Sequence, residues 1–126
     1  MILEEAVKKV VKEFSEIKLI YLFGSQAEKK ITKLSDYDFA IYLDEKTSAE
    51  KEKEIVLQLN AKLSLILKSN NIDIIVLNKS LSPVLKYMVL KEGKIIYQKE
   101  PYRLIVEPAI YNEYFDFQVF KRSHSI

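Results

Sequence analysis

Two small residues followed at a fixed distance by two carboxylates are the residues of this chain best suited to chemistry. The sequence reads Gly24-Ser25, ten further residues, then Asp36-Tyr37-Asp38, with an apolar run on either side of the segment. This spacing predicts a strand that ends in a small-residue turn, a short polar segment, and a second strand that opens with two acids. Such an arrangement sets a divalent-metal site beside a phosphate cradle, as phosphoryl and nucleotidyl transfer require.

Each of these residue types has a physical reason to be there. Gly24 lacks a Cβ atom, so the backbone can let a phosphate approach closely. Ser25 can cap the segment that follows and donate to a phosphate oxygen. Asp36 and Asp38 are two residues apart on a strand, so both carboxylates point to one face. Because like charges repel unless a cation lies between them, the pair favours Mg²⁺ binding.

A third carboxylate, Asp73, is expected at the same place. The pattern predicts a long helix over Thr47 to Lys68 and then a strand over Ile72 to Leu77. A helical crossover makes that strand run parallel to the strand of Asp36 and Asp38, so Asp73 falls at the same end of the sheet. An acid in an apolar strand is costly unless it is paired or ligating. The alternative is that Asp73 only marks an exposed strand entry.

The remaining periodicity predicts an α/β (α+β) fold, a mixed four-stranded sheet with flanking helices. The third strand is nearly continuous in apolar residues, which favours an interior position, and the fourth is expected at an edge. The predicted helices and strands, in chain order, are a helix over residues 3–14, a strand over 18–23, a short helix over 25 to about 30, a strand over 36–43, the helix over 47–68, the strand over 72–77, a helix from Ser82 that Gly93 stops, and a strand over 94–98.

The C-terminal segment has a different character. Residues 1–100 are predicted to form the main domain, and residues 101–126 an aromatic extension of it without clean periodicity. Five aromatic residues crowd into ten positions there: Tyr111, Tyr114, Phe115, Phe117 and Phe120. Such a cluster either folds back on its own core or docks on a partner, and both interpretations stay open.

The composition excludes several classes of protein. The chain has 126 residues, a net charge of +2 and no cysteine. One domain is expected, without disulfides or thiolate metal sites, and the charge balance does not indicate direct nucleic-acid binding. No apolar stretch is long enough to span a membrane, and no signal-peptide core is visible, so a cytoplasmic location is expected.

The motif Gly24-Ser25-x10-Asp36-x-Asp38 resembles the signature of the DNA polymerase β-like nucleotidyltransferase superfamily. In its short length the chain resembles the smallest branch of this superfamily, the minimal nucleotidyltransferases. These are commonly antitoxins paired with a HEPN-domain ribonuclease toxin. The stretch Leu90 to Tyr97 and the aromatic tail are weaker points of similarity. One departure is Gln26, because many relatives have arginine directly after Gly-Ser.

The resemblance implies a nucleotidyltransferase fold and a Mg²⁺-dependent protein adenylyltransferase. On this interpretation Asp36, Asp38 and Asp73 are the catalytic and metal-binding residues, and Gly24 and Ser25 hold the phosphates of ATP. AMP passes to a tyrosine of the HEPN toxin, with which the chain forms an oligomer.

Two other functions remain open. The first is a catalytically weak antitoxin that acts by direct binding, which Gln26 favours because it removes a positive charge near the triphosphate. The second is transfer of AMP to a small molecule, for which relatives generally need a second domain that this chain has no room for. Glycosidase-like use of paired carboxylates lacks a role for the Gly-Ser turn.

Overall fold

The computed structural model of this chain describes residues 3–23, 37–79 and 82–124. Four helices and four strands lie in these ranges, and the predicted α+β architecture is confirmed. In chain order they are α1 (Leu3–Val11), β1 (Ile17–Phe23), β2 (Tyr37–Leu43), α2 (Ala49–Leu67), β3 (Ile72–Val76), α3 (Pro83–Glu92), β4 (Lys94–Gln98) and α4 (Tyr102–Ser123). None of the helices in these ranges is long and apolar enough to cross a bilayer.

The four strands form one mixed sheet in the order β3-β2-β1-β4. β1 runs antiparallel to both β2 and β4, whereas β3 runs parallel to β2. The predicted antiparallel first pair, the helical crossover and the edge position of β4 are therefore confirmed. The predicted interior position of β3 is wrong, because β3 forms the other edge. Its apolar run reflects packing of the strand's face against helices rather than a strand on each side.

Helices α1 and α2 cover the first face of the sheet. Phe39, Ile41 and Leu43 of β2 point into this layer, as their alternation predicts, and join the buried stripe of α2. The helical spacing in the sequence predicts a buried stripe of Ile55, Leu59, Leu63 and Ile66 on α2, and burial is complete at the first three of these positions. The prediction is wrong for Ile66, which is 40% exposed. Leu67, four residues after Leu63, packs against the core in its place.

Helices α3 and α4 cover the second face, where Val89 of α3 and Val106 and Ile110 of α4 are buried. The sequence pattern also predicts Leu85 on the inner side of α3, but Leu85 is 38% exposed. Residues 102–123 form one helix of 22 residues, although the sequence shows no clean period there. The period is hidden because the buried aliphatic residues of α4 share the helix with aromatic residues on its other sides.

The helix boundaries that frame the sheet follow ordinary capping chemistry. The Oγ atoms of Ser48 and Ser82 accept from backbone N–H groups three residues later, at 3.1 Å each. Gly93 ends α3 as predicted, and its N–H donates to the Val89 carbonyl at 2.8 Å. A Cβ at position 93 would collide with that carbonyl and lie 3.1 Å from the Leu22 carbonyl. Only glycine therefore lets α3 turn this closely over β1.

Candidate active site

Asp38 and Asp73 are direct neighbours on adjacent parallel strands. Asp38 is the register partner of Asp73, one step after the pairing of Tyr37 with Ile72. Because Phe39 points into the α1–α2 layer, Asp38 points to the opposite face, the one that carries Ala40 and helices α3 and α4. Asp38 is only 5% exposed, whereas Asp73 is exposed.

The two carboxylates lie at the end of the sheet where β1 ends, directly before Gly24 in the sequence. Asp38 pairs with Phe23, the last residue of β1, and position 24 follows at once. β2 and β3 both begin at this end. The prediction that Asp73 falls at the same end as Asp38 is therefore confirmed. Gly24, Ser25, Asp36 and the short helix predicted over residues 25 to about 30 lie outside the described residues.

This pair of acids has the chemistry of a divalent-cation site. Two carboxylates on neighbouring strands and one face repel each other, and a cation between them removes that cost. Mg²⁺ takes hard oxygen ligands and needs only one or two carboxylates from the protein. Over 3–23, 37–79 and 82–124 no group of three acidic or histidine side chains could hold a metal. A third protein ligand would have to come from elsewhere, and Asp36 is the neighbour in sequence.

An asparagine of α2 fixes the start of β3, which sequence reasoning missed. The Asn60 side-chain amide donates to the Ile72 carbonyl at 2.9 Å, one residue before Asp73. The Tyr37 N–H reaches the Asn71 carbonyl at 3.4 Å and joins the starts of β2 and β3. These contacts hold the two strand entries together. The only signal in the sequence was a polar residue directly beside Leu59 in the buried stripe of α2.

A second missed feature is a buried tyrosine network on the same face of the sheet. The Tyr21 hydroxyl donates to Glu107 Oε2 at 2.6 Å, and Arg103 Nε donates to the same oxygen at 2.9 Å. Burial, followed by the Glu107 carboxylate, raises the pKa of Tyr21 above its ordinary range. The network ties α4 to β1, one of the two inner strands, at a position two residues before the end of β1 that pairs with Asp38. It therefore has a structural explanation.

The Tyr21 network gives a prediction about alkaline stability. A raised tyrosine pKa stabilises the fold below the unfolded pKa of about 10, and this contribution is lost as pH rises above that value. Tyr21→Phe should lower the free energy of unfolding by about 1 kcal/mol at pH 7, because one charge-assisted hydrogen bond is lost. The gap between wild type and variant should narrow above about pH 10. Urea titrations at several pH values measure the free energy of unfolding of both proteins. A difference between them that stays constant across this pH range would contradict the assignment.

Comparison with known proteins decides the family. The profile described as Polymerase beta, Nucleotidyltransferase matches residues 5–102, which is most of the chain. The chain belongs to this nucleotidyltransferase family. The match contains β1, β2 and β3. It also contains Gly24 and Ser25 and the three aspartates at positions 36, 38 and 73.

Individual relatives agree with the family. The chain is 27% identical over 107 residues to the protein adenylyltransferase MntA of Aphanizomenon flos-aquae (strain 2012/KM1/D3), covering 77% of this chain and 67% of that protein. The fold of this chain superposes on a chain from a toxin–antitoxin crystal structure with AMP-PNP, with a TM-score of 0.74 and 24% identity. The match covers 97% of this chain and 94% of that chain. A structure of a tri-AMPylated Shewanella oneidensis HEPN toxin with its MNT antitoxin gives a TM-score of 0.68 at 24% identity. The match covers 95% of this chain and 90% of that chain. At these identities the structural likeness establishes the nucleotidyltransferase fold.

Proposed function

We propose that this chain transfers AMP from ATP to a tyrosine hydroxyl of a HEPN ribonuclease toxin and so neutralises the toxin. The observation that carries the proposal is the in-register pair Asp38 and Asp73 at the end of β1, in a chain of the nucleotidyltransferase family. The adenylyltransferase relative and the toxin–antitoxin structures of the same fold support protein as the acceptor. We place this chain and the toxin in the cytoplasm, where ATP and cellular RNA are available.

The donor set fits Mg²⁺, and we assign Asp38, Asp73 and the neighbouring Asp36 as its protein ligands. When bound, Mg²⁺ would neutralise phosphate charge and so favour displacement at phosphorus. Asp38 is the ligand whose position is fixed, because it is nearly buried and its strand, β2, pairs with β1 on one side and with β3 on the other. Gly24 and Ser25, which follow β1 directly, would hold the phosphates with backbone and hydroxyl donors.

We assign Asp73 as the general base. It is exposed, so an acceptor hydroxyl from a bound protein can reach it, whereas Asp38 is covered. In the proposed step Asp73 takes the proton from the tyrosine hydroxyl, whose oxygen forms a bond to the α-phosphorus of ATP. The bond from that phosphorus to the bridging oxygen breaks in line, and pyrophosphate leaves with the bonding electrons.

The product explains how transfer would silence the toxin. AMP on a tyrosine adds a negative phosphodiester and a bulky nucleoside at the modified position. A negative group beside an RNA-binding surface repels the RNA phosphates and also occupies their space. One covalent event would therefore outlast the encounter between the two proteins.

Direct binding is the second candidate, and one observation favours it. Phe115, Val119 and Phe120 of α4 are about half exposed, at 54%, 56% and 48%. Exposed apolar residues in this number mark an interaction surface, whether or not catalysis follows. Gln26, in the place where many relatives have arginine, is consistent with weak catalysis.

The two candidates separate when the position of the label in ATP is varied. The purified chain, its cognate toxin and Mg²⁺ are incubated with ATP labelled at the α- or at the γ-phosphate. AMP transfer labels the toxin from α-labelled ATP only, and chelation of Mg²⁺ prevents it. Labelling from γ-labelled ATP would indicate phosphorylation instead. Neutralisation without any label would establish the binding candidate.

A further inference from the structure

Helix α2 has apolar side chains on two opposite sides. Its buried stripe, Ile55, Leu59 and Leu63, packs on the sheet, whereas Leu57 and Leu65 are 75% and 80% exposed. At 100° per residue, these two exposed leucines lie about 160° and about 120° away from Leu59 around the helix. A helix that covers one face of a sheet needs a single apolar stripe. Packing within one chain therefore does not explain the second, outer stripe.

The outer stripe is a regular row of side chains. Leu57, Ala61 and Leu65 follow one another at intervals of four residues, which places them next to each other on the helix surface. Ala61 is exposed as well. Among the described residues, Leu104 is the only other leucine that is exposed to this degree. A small residue between two leucines lets a second helix approach closely and contact both leucines.

The two ends of this row carry opposite charges. Glu54 lies seven residues before Ala61 and Lys68 lies seven residues after it, and both are exposed. Glu54 contacts Lys51 at 3.6 Å, yet 51% of the Glu54 side chain stays exposed. The row therefore consists of an acid, a leucine, an alanine, a leucine and a base, and it is symmetric in spacing about the alanine.

We propose that two copies of this chain pair through the outer side of α2, with the two helices antiparallel and a two-fold axis at Ala61. In this arrangement Leu57 of one copy lies level with Leu65 of the second copy, and Glu54 lies level with Lys68. A two-fold interface uses the same patch on both copies, so the patch must be complementary to itself, and this row meets that condition. The antiparallel order also pairs opposite ends of the two helix dipoles. This inference goes beyond the proposed function and does not depend on it.

The toxin fits this surface less well than a second copy does. Helix α2 covers the first face of the sheet, whereas Asp38 and Asp73 point to the second face. A protein acceptor that reaches Asp73 therefore approaches from the side of the sheet opposite to α2. Pairing through α2 leaves both sites of the dimer accessible, so self-association and transfer to the toxin are compatible.

The absence of cysteine from the chain makes a direct contact test possible. Ala61→Cys sets one thiol of each copy on the proposed axis, and oxidised glutathione should join the two copies through a disulfide. The matched control is Leu104→Cys, because Leu104 of α4 is 80% exposed but lies on another helix. Covalent dimer is quantified on a non-reducing gel.

Self-association itself is measured by sedimentation equilibrium of the purified chain over a range of concentrations, without toxin or ATP. We expect a wild-type dimer, and Ala61→Glu should weaken it by about tenfold or more, because two like charges then face each other on the axis. Leu104→Glu should leave the dimer unchanged. Glu54→Lys should also weaken the dimer, and the addition of Lys68→Glu should restore it, since the charge pairs are then exchanged.

Several results would overturn the proposal. These are a wild type that stays monomeric at every concentration, a dimer that Ala61→Glu leaves intact, and equal disulfide formation at positions 61 and 104. Failure of Lys68→Glu to restore the Glu54→Lys variant would contradict the antiparallel arrangement. A monomeric wild type whose toxin binding is lost in Ala61→Glu would identify the toxin as the occupant instead. A dimer that behaves as expected but never labels the toxin would keep the α2 interface and refute adenylyl transfer.

Discussion

Asp38→Asn should abolish transfer of AMP to the toxin while the protein stays folded. The substitution keeps the shape of the side chain and removes the one carboxylate that is nearly buried at the site end of β2. On the proposed assignment, the site without this charge loses a fixed metal ligand and part of the attraction for Mg²⁺. We expect the initial rate of labelling to fall by about a thousandfold or more, as is common when a member of a catalytic set is removed.

The control for this prediction is Glu50→Gln. Glu50 is an exposed acid in the first turn of α2, outside the pair of strands that carries the site, so this change should leave the rate near that of wild type. Asp73→Asn should also be severely impaired if Asp73 is the base. A normal rate in Asp38→Asn, with an unchanged melting curve, would contradict the assignment of the site.

Shortening α4 from its C-terminal end should show a sharp boundary in stability. Removal of residues 116–126 takes away the end of α4, in which none of the described residues is buried, and should change the free energy of unfolding by less than about 1 kcal/mol. Removal of residues 110–126 also deletes Ile110, which is 6% exposed, and the Tyr114 ring stacked on Tyr87. Loss of these buried groups should cost about 3 kcal/mol or more.

Urea unfolding of both truncated proteins measures this boundary. Hydrogen exchange on the free protein should show weak protection after Phe115 and strong protection around Ile110. Equal destabilisation by the two deletions would show that the whole of α4 belongs to the core.

The site was predictable from sequence as far as local rules reach. The alternation in β2 correctly places Phe39 in the core and Asp38 on the opposite face, and the crossover rule correctly brings Asp73 beside it. Long-range contacts were not predictable. The bond from Asn60 to the Ile72 carbonyl and the bond from Tyr21 to Glu107 join residues that only the folded chain brings together.

The errors in the predicted fold have a common origin. An apolar run shows that a strand is covered on its faces but does not show whether a further strand pairs with it, so β3 was assigned to the interior and lies at the edge. Helix α4 was missed as a helix because apolar residues on several sides give no clear period.

The most direct test of catalysis is the ratio at which this chain neutralises the toxin. The toxin's cleavage of RNA is followed after preincubation with one molecule of the chain per many molecules of toxin, with or without ATP and Mg²⁺. If the chain is an adenylyltransferase, a substoichiometric amount silences all of the toxin when ATP and Mg²⁺ are present, and Asp38→Asn does not. Neutralisation that needs one chain for each toxin site and proceeds equally without ATP would contradict the account.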